Sequence, residues 1–234
     1  MKIPGIITRW LFILCLPVLL LTASIGGAAN SLWLYKYGFE RYDVSQDLAA
    51  SGLELTDSEL EDIYAGLISY FNSGEDYISL TVARDGKSFN LFTPEEAIHF
   101  RDVKGLIWLD YRVLAGTLVY VLAYAGAGLF RRRGNYRRQL ARGVVGSSGI
   151  TLTVILGLVL LDTIFGFRQL FYQFHRLFFT NPYWSAKGYM LLLFPEPFFN
   201  DAALFGTLAI VTGAIALGGV AGGYLLATRK RGAI

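Results

Sequence analysis

Residues 107–130 read IWLDYRVLAGTLVYVLAYAGAGLF and run directly into RRRGNYRRQLAR at 131–142. The first string is apolar over a length that, as a helix rising about 1.5 Å per residue, crosses the roughly 30 Å hydrocarbon core of a bilayer. The second concentrates Arg131, Arg132, Arg133, Arg137, Arg138 and Arg142 at the end of that span. Basic loops between spans stay on the cytoplasmic side, so this pair of strings predicts both a helix and its direction. Three more stretches, residues 10–28, 144–161 and 202–227, have the same apolar character. Four membrane helices follow, and the fold class predicted is a mainly α membrane protein.

Composition agrees. Apolar residues make up 54% of the 234 and charged residues 17%, with a mean hydropathy of +0.45, against about a quarter charged in a soluble domain. A 26.0 kDa globule in water could not bury four such stretches, which excludes a cytosolic enzyme, a secreted domain and a nucleic-acid binder. The first stretch, after Lys2 and Arg9, has the layout of a signal peptide, but its apolar run is long for one and a retained helix is expected. Cys15 follows Phe12-Ile13-Leu14, which lacks the small residue of a lipoprotein signal. As the chain's one cysteine it forms no disulfide framework.

Lys2, Arg9, the six arginines of the loop, Arg229, Lys230 and Arg231 all fall on one side, and none of the 18 acidic residues joins them. Both termini and residues 131–143 are therefore expected in the cytoplasm, and residues 29–106 and 162–201 outside. In the first external segment, Thr56 and Glu59 form a capping box ahead of Leu60, Ile63, Tyr64, Leu67, Ile68 and Phe71 at helical spacing, predicting a helix over 57–71. Residues 77–83 and 88–92 flank Arg84-Asp85-Gly86-Lys87, a hairpin signal. Thr93, Pro94 and Glu96 then open a second capped helix leading through Lys104 into the span. The expectation is a small α+β extracytoplasmic lobe between helices 1 and 2.

The second external segment holds 13 aromatic residues, a density that suits the membrane interface, where rings bury one face in lipid. An aromatic belt does not call for His175, Arg176, Asn181 and Trp184 in its midst. Asp162, at the end of the third span, is expected at the external interface or paired with Arg168 or Arg112, since an isolated carboxylate is costly at depth. The two histidines of the chain, His99 and His175, both fall on the external side near span ends. Histidine is suited to proton transfer near neutrality. Two unrelated structural histidines would look the same in sequence. A metal site of two histidines with Asp102 would be sparse, without a His-x-x-x-His or a cysteine cluster. No metal and no cofactor are expected.

AIHFRDVK at 97–104, FHRLFFTN at 174–181, Trp184, and FPEPFF at 194–199 closely resemble the bacterial lipoprotein intramolecular transacylase (Lit) family, and the resemblance extends along essentially the whole chain. It implies a multi-pass protein of the bacterial cytoplasmic membrane whose active site faces outward. It also implies an activity: moving the sn-2 acyl chain of a diacylglyceryl-cysteine lipoprotein to the α-amino group of that cysteine, leaving lyso-form lipoprotein. His99 and His175 are then the expected catalytic residues, one as base and later acid, the other stabilising the oxyanion; His175 is favoured as the base. Asp102, one turn beyond His99, is expected to orient it, although a solvated interfacial acid would occupy the same position. Lys104, Arg176, Asn181 and Trp184 are expected to orient groups or bind substrate. Partners expected are diacylglyceryl lipoproteins and membrane phospholipid, with no nucleic acid, and a monomer. A non-enzymatic lipid- or lipoprotein-binding protein, or a lipid ester hydrolase, would share the topology. Neither requires a histidine in both external segments to effect transfer to an amine.

The charge asymmetry generates a topology test. A reporter fused at Asn135 should behave as cytoplasmic and one within residues 73–76 as external; the reverse pattern overturns the orientation of both histidines.

Overall fold

Four apolar runs become four long helices. In the computed structural model, which describes residues 3–84, 86–130 and 136–230, these are α1 (Ile3–Ala29), α5 (Pro94–Phe130), α6 (Tyr136–Phe165) and α9 (Glu196–Lys230). All four are long and apolar enough to cross a membrane. Arg131, Arg132, Arg133, Asn135, Lys2, Arg231 and the hairpin residue Asp85 lie outside the described residues. Between α1 and α5 come α2 (Leu32–Arg41), α3 (Val44–Ala50), α4 (Asp57–Phe71) and the hairpin β1 (Thr81–Arg84) and β2 (Lys87–Asn90). Between α6 and α9 come α7 (Phe167–Phe178), a 3-10 turn at Tyr183–Ser185 and α8 (Tyr189–Leu193). The chain divides into two compact units, one of residues 1–26, 110–164 and 205–234, the other of residues 27–109 and 165–204.

The first unit is held by packing rather than by hydrophobic contrast, because lipid is as apolar as a leucine side chain. Phe12 and Leu16 of α1 are buried against Val121 of α5, with Tyr120, Tyr124 and Leu140 around them, and Phe12 stacks on Tyr124 at 4.5 Å. Small polar residues allow close helix approach. Ser147, fully buried, donates its hydroxyl to the Ile13 carbonyl at 2.9 Å, and Ser24 bonds the Gly206 carbonyl at 3.3 Å. Val119, Leu122 and Val220 are exposed, as side chains facing lipid should be. Two arginines of the basic loop find carbonyls at helix C-termini: Arg137 donates to Leu129 O at 3.3 and 3.2 Å, and Arg138 to Thr228 O at 2.8 Å. A cation is favoured there by the exposed carbonyls and the helix dipole.

Asp162, expected at the external interface or paired with Arg168 or Arg112, lies near the C-terminal end of α6, and its Oδ1 is buried with no hydrogen-bond partner among the described residues. Gly166, with φ 80°, separates α6 from α7, so residue 168 does not continue the helical spacing from 162. Arg168 lies instead 3.4 Å from the Glu196 carboxylate.

The second unit is built on α4. Its capping box is complete, with Thr56 and Glu59 each receiving the other's backbone N–H, and Leu60, Ile63, Tyr64, Leu67, Tyr70 and Phe71 form the buried stripe. Tyr64 is the largest fully buried side chain among the described residues. It stacks between Tyr35 at 5.4 Å and Phe39 at 5.8 Å, takes the edge of Phe194 at 5.5 Å, and donates its hydroxyl to Leu193 O at 2.8 Å. Residues of the aromatic-rich second segment are thus part of the same core as the first. The hairpin pairs Thr81 with Asn90 through Arg84 with Lys87, leaving two residues for the turn, the length that Asp-Gly favours. Tyr37 and Tyr42 hydroxyls and Arg41 Nε converge on the Asp201 carboxylate at 3.0, 2.7 and 3.0 Å. The helices α2, α3, α7 and α8 are not anticipated from the sequence.

Gly38 of α2 sits against the ring of Phe198, where an added methyl would overlap it. Phe198 is buried among Tyr35, Phe194 and Phe199 and cannot swing clear. Gly38→Ala should destabilise the folded protein by about 1–3 kcal/mol, measured as a lower unfolding midpoint; an unchanged midpoint would show that the ring has room.

Candidate active site

Helix α5 begins with a polar face. Thr93 and Glu96 cap it reciprocally, Thr93 N–H donating to Glu96 Oε2 at 2.9 Å and Glu96 N–H to Thr93 Oγ1 at 3.3 Å. Helical spacing then places His99, Phe100 and Lys104 on the buried side with Glu96. These turns, residues 94–106, carry most of the charged residues of the helix and precede its apolar stretch, which keeps Asp110 and Arg112. Helix α7, FRQLFYQFHRLF, sets Phe167, Leu170, Phe171, Phe174, His175 and Phe178 at helical spacing, and His175 is its one buried residue.

The two histidines meet. Their ring centroids are 6.0 Å apart, and each is nearly inaccessible, His99 at 6% and His175 at 7% exposed. Phe179 presents its edge to His99 at 4.8 Å and lies 5.4 Å from His175; Phe171 is edge-on to His175 at 4.3 Å, and Trp184 is 5.0 Å from it. A wall of rings withholds water from both imidazoles. That burial pushes the His99 pKa down to about 4, with the neighbouring His175 adding to the effect and Asp102 opposing it. Burial also lowers His175, partly offset by its bond to the Phe171 carbonyl. Both rings are neutral near pH 7.

Their hydrogen bonds distinguish them. His175 Nδ1 is 2.7 Å from Phe171 O, an oxygen that can accept but not donate. Nδ1 therefore carries the proton and Nε2 the lone pair, the form required of a base. His99 Nδ1 is buried with no hydrogen-bond partner among the described residues. Buried polar atoms are rarely left so, and a site of chemistry is one place where they are.

The remaining expected residues divide. Asp102 accepts the Asn181 amide at 2.8 Å, and Asn181 Oδ1 accepts Tyr183 N–H at 3.1 Å, so Asp102 and Asn181 are tied to the 3-10 turn that carries Trp184 to His175. Asp102 acts on His99 through its charge, while its hydrogen bond goes to Asn181. Lys104 is directed elsewhere: its ammonium bonds Glu75 O at 2.7 Å and Ser73 Oγ at 3.2 Å and lies 4.2 Å from the Tyr70 ring centre. A buried ammonium must be satisfied locally, and the loop after α4 does so. Arg176 is exposed beside Tyr172. Sequence reading passed over Phe171 and Phe179, although the helical period around His175 marks Phe171 as its neighbour one turn back.

Among the described residues no group of three or more histidine, cysteine, aspartate or glutamate side chains is arranged to hold a metal ion.

The fold matches crystal structures of the membrane-integral lipoprotein intramolecular transacylase Lit from Bacillus cereus. One aligns with a TM-score of 0.74 at 21% identity over 96% of this chain and 97% of that one. A second, carrying a histidine-to-alanine mutation, aligns with a TM-score of 0.72 at 21% identity over 96% and 94%. A third, with a histidine-to-arginine mutation, gives 0.68 at 22% identity over 98% and 96%. No curated protein sequence matches significantly. The model of the lipoprotein intramolecular transacylase Lit family matches residues 10–199, a span that contains both histidines and every residue described around them, and the chain therefore belongs to this family of membrane acyltransferases.

Proposed function

We propose that the protein moves the sn-2 acyl chain of a diacylglyceryl-cysteine lipoprotein to the α-amino group of the same cysteine, with His175 as proton carrier and His99 as the oxyanion partner. The observation that carries this reading is the meeting of two neutral, desolvated imidazoles from distant parts of the chain, 6.0 Å apart. The reaction proceeds within one substrate molecule. The amine nitrogen attacks the ester carbonyl, closing an eight-membered ring through sulfur and glycerol. The carbon–oxygen bond to glycerol then breaks, leaving an amide and a free hydroxyl. Ester to amide is downhill, so no external acyl donor and no cofactor is needed.

The proton account assigns the residues. An α-amine, with a pKa of about 7.7–8.0, attacks as its neutral form after its ammonium proton has gone to solvent; forming the amide then takes one further proton from nitrogen, and the departing glycerol oxygen must gain one. His175, with Nδ1–H bonded to Phe171 O and Nε2 free, takes that proton from nitrogen and returns it to the oxygen. His99, with a buried ring nitrogen that has no hydrogen-bond partner among the described residues, is suited to donate an N–H to the negative oxygen of the tetrahedral intermediate. Asp102 and Asn181 hold position around His99; Trp184 covers His175. Arg176 is suited to the lipid headgroup region. The aromatic wall excludes the water that would divert the intermediate to hydrolysis. The multi-pass protein resides in the bacterial membrane; on the charge distribution the histidines face its extracytoplasmic side, where mature lipoproteins and surrounding phospholipid reach it, and a monomer suffices.

Mass spectrometry of a lipoprotein's N-terminal peptide tests the assignment. His99→Ala and His175→Ala should each lower the rate of lyso-form production by about 10²–10⁴-fold in folded, inserted protein, and chelators should leave it unchanged. Undiminished N-acylation by the double variant would refute the histidine mechanism.

A second expectation concerns pH. Because the folded His99 pKa, about 4, lies below the ordinary value of 6.5, the unfolded chain binds more protons between those values. The stability associated with neutral His99 is present above pH 6.5 and is lost as pH falls towards 4. The unfolding midpoint should drop across that window, and His99→Gln should flatten the dependence; identical pH profiles for the two proteins would contradict it.

A further inference from the structure

Glu96 has no exposed surface at all, and its carboxylate is used twice. One oxygen completes the α5 cap on Thr93. The other, Oε1, accepts the backbone N–H of Met190 at 2.8 Å, at the start of α8. Gly188, two residues earlier, passes so close that a side chain there would overlap the Glu96 carboxylate. Six residues along the same helix, Asp102 holds Asn181 at 2.8 Å. Two acidic residues of α5, with His99 midway between them, thus grip both ends of the segment 181–190. That segment carries Trp184, whose ring lies against His175.

We infer that Glu96 is a positioning residue of the transacylase: with Asp102 it straps segment 181–190 across α5, so that Trp184 holds His175 in register with His99. This rests on the reading of the two histidines as the reacting pair. The physical case is one of alignment. His175 and His99 sit on separate helices, and among the described residues no hydrogen bond joins the two rings; their separation is set by what packs behind each. A hydrogen bond from a backbone N–H to a fully buried carboxylate is among the stronger and more directional contacts available. Glu96 therefore does more than cap a helix, for which an exposed glutamate such as Glu59 suffices. Gln at 96 would turn one oxygen into an amide donor facing an N–H, losing one of the two bonds.

Purified full-length protein with a diacylglyceryl lipopeptide gives the test. In Glu96→Gln and in Gly188→Ala, kcat should fall about 10- to 100-fold, as expected for a displaced catalytic group, with KM changed by less than about threefold. Gly188 is in extended backbone, φ −153°, which alanine tolerates; its added methyl meets the Glu96 carboxylate but leaves the Glu96 N–H bond to Thr93 Oγ1 in place, so it decides the matter if Glu96→Gln does not fold. Lys187 is exposed within the strap; trypsin should cut after it about tenfold faster in both variants, reflecting local release, with cleavage at Arg84 and Lys87 unchanged. Thr93→Ala, which loses a cap contact and not the strap, should keep kcat within about twofold. Wild-type kcat in both strap variants would overturn the proposal, as would an equal loss in Thr93→Ala. Active His99→Ala and His175→Ala beside an impaired Glu96→Gln would instead sink the reacting pair and leave the strap standing.

Discussion

On the first turns of α5, Glu96, His99 and Lys104 are enclosed by protein and Asp102 is half-buried, so each must be satisfied there or remain a source of unmet hydrogen bonding. Glu96 is satisfied by Thr93 and Met190, Asp102 by Asn181, and Lys104 by Ser73 and Glu75. Beyond the helix's own cap, these bonds reach two separate stretches of chain, 73–75 and 181–190, and draw them around one helix. His99, in the middle of the row, keeps one buried ring nitrogen without a hydrogen-bond partner among the described residues. Around that open position lie the other imidazole and the aromatic wall.

The pairing of two imidazoles also has a chemical consequence. Two histidinium ions at this separation would repel one another, and burial penalises either charge, so both effects favour two neutral rings. A neutral pair can hold one proton at a time, passing it from an amine to an alkoxide, without a resident charge that would have to be neutralised first. The bond from His175 Nδ1 to Phe171 O fixes which nitrogen does this work. An aromatic surround serves both ends: it keeps water from the rings and offers lipid chains a compatible surface.

Much of this was legible in advance. The four apolar stretches became four helices because a span is long, and its apolar content is a local property. The α4 helix runs from Asp57 to Phe71 as its cap and period dictate, and the two strands pair up to Arg84 and Lys87 on either side of the expected turn, since both signals reside within a few neighbouring residues. The α7 helix was equally present in the spacing of its phenylalanines but was masked by aromatic density, which reads as an interfacial belt when period is not examined. Lys104, grouped with the site by its place in the AIHFRDVK motif, turned out to face the loop after α4, because one helical turn is enough to change what a side chain meets.

Sequence alone determined the class of protein, the number of spans, the placement of basic residues and the two histidines as the residues to watch, because hydropathy, charge and rarity can be counted along a chain. The tertiary structure alone decided that those histidines lie 6.0 Å apart, that Asp102 bonds Asn181, and that a capping glutamate also grips Met190. Each of these depends on which side chains converge from distant segments under the demand that buried polar groups find partners. That demand acts through space, and no local pattern encodes its outcome.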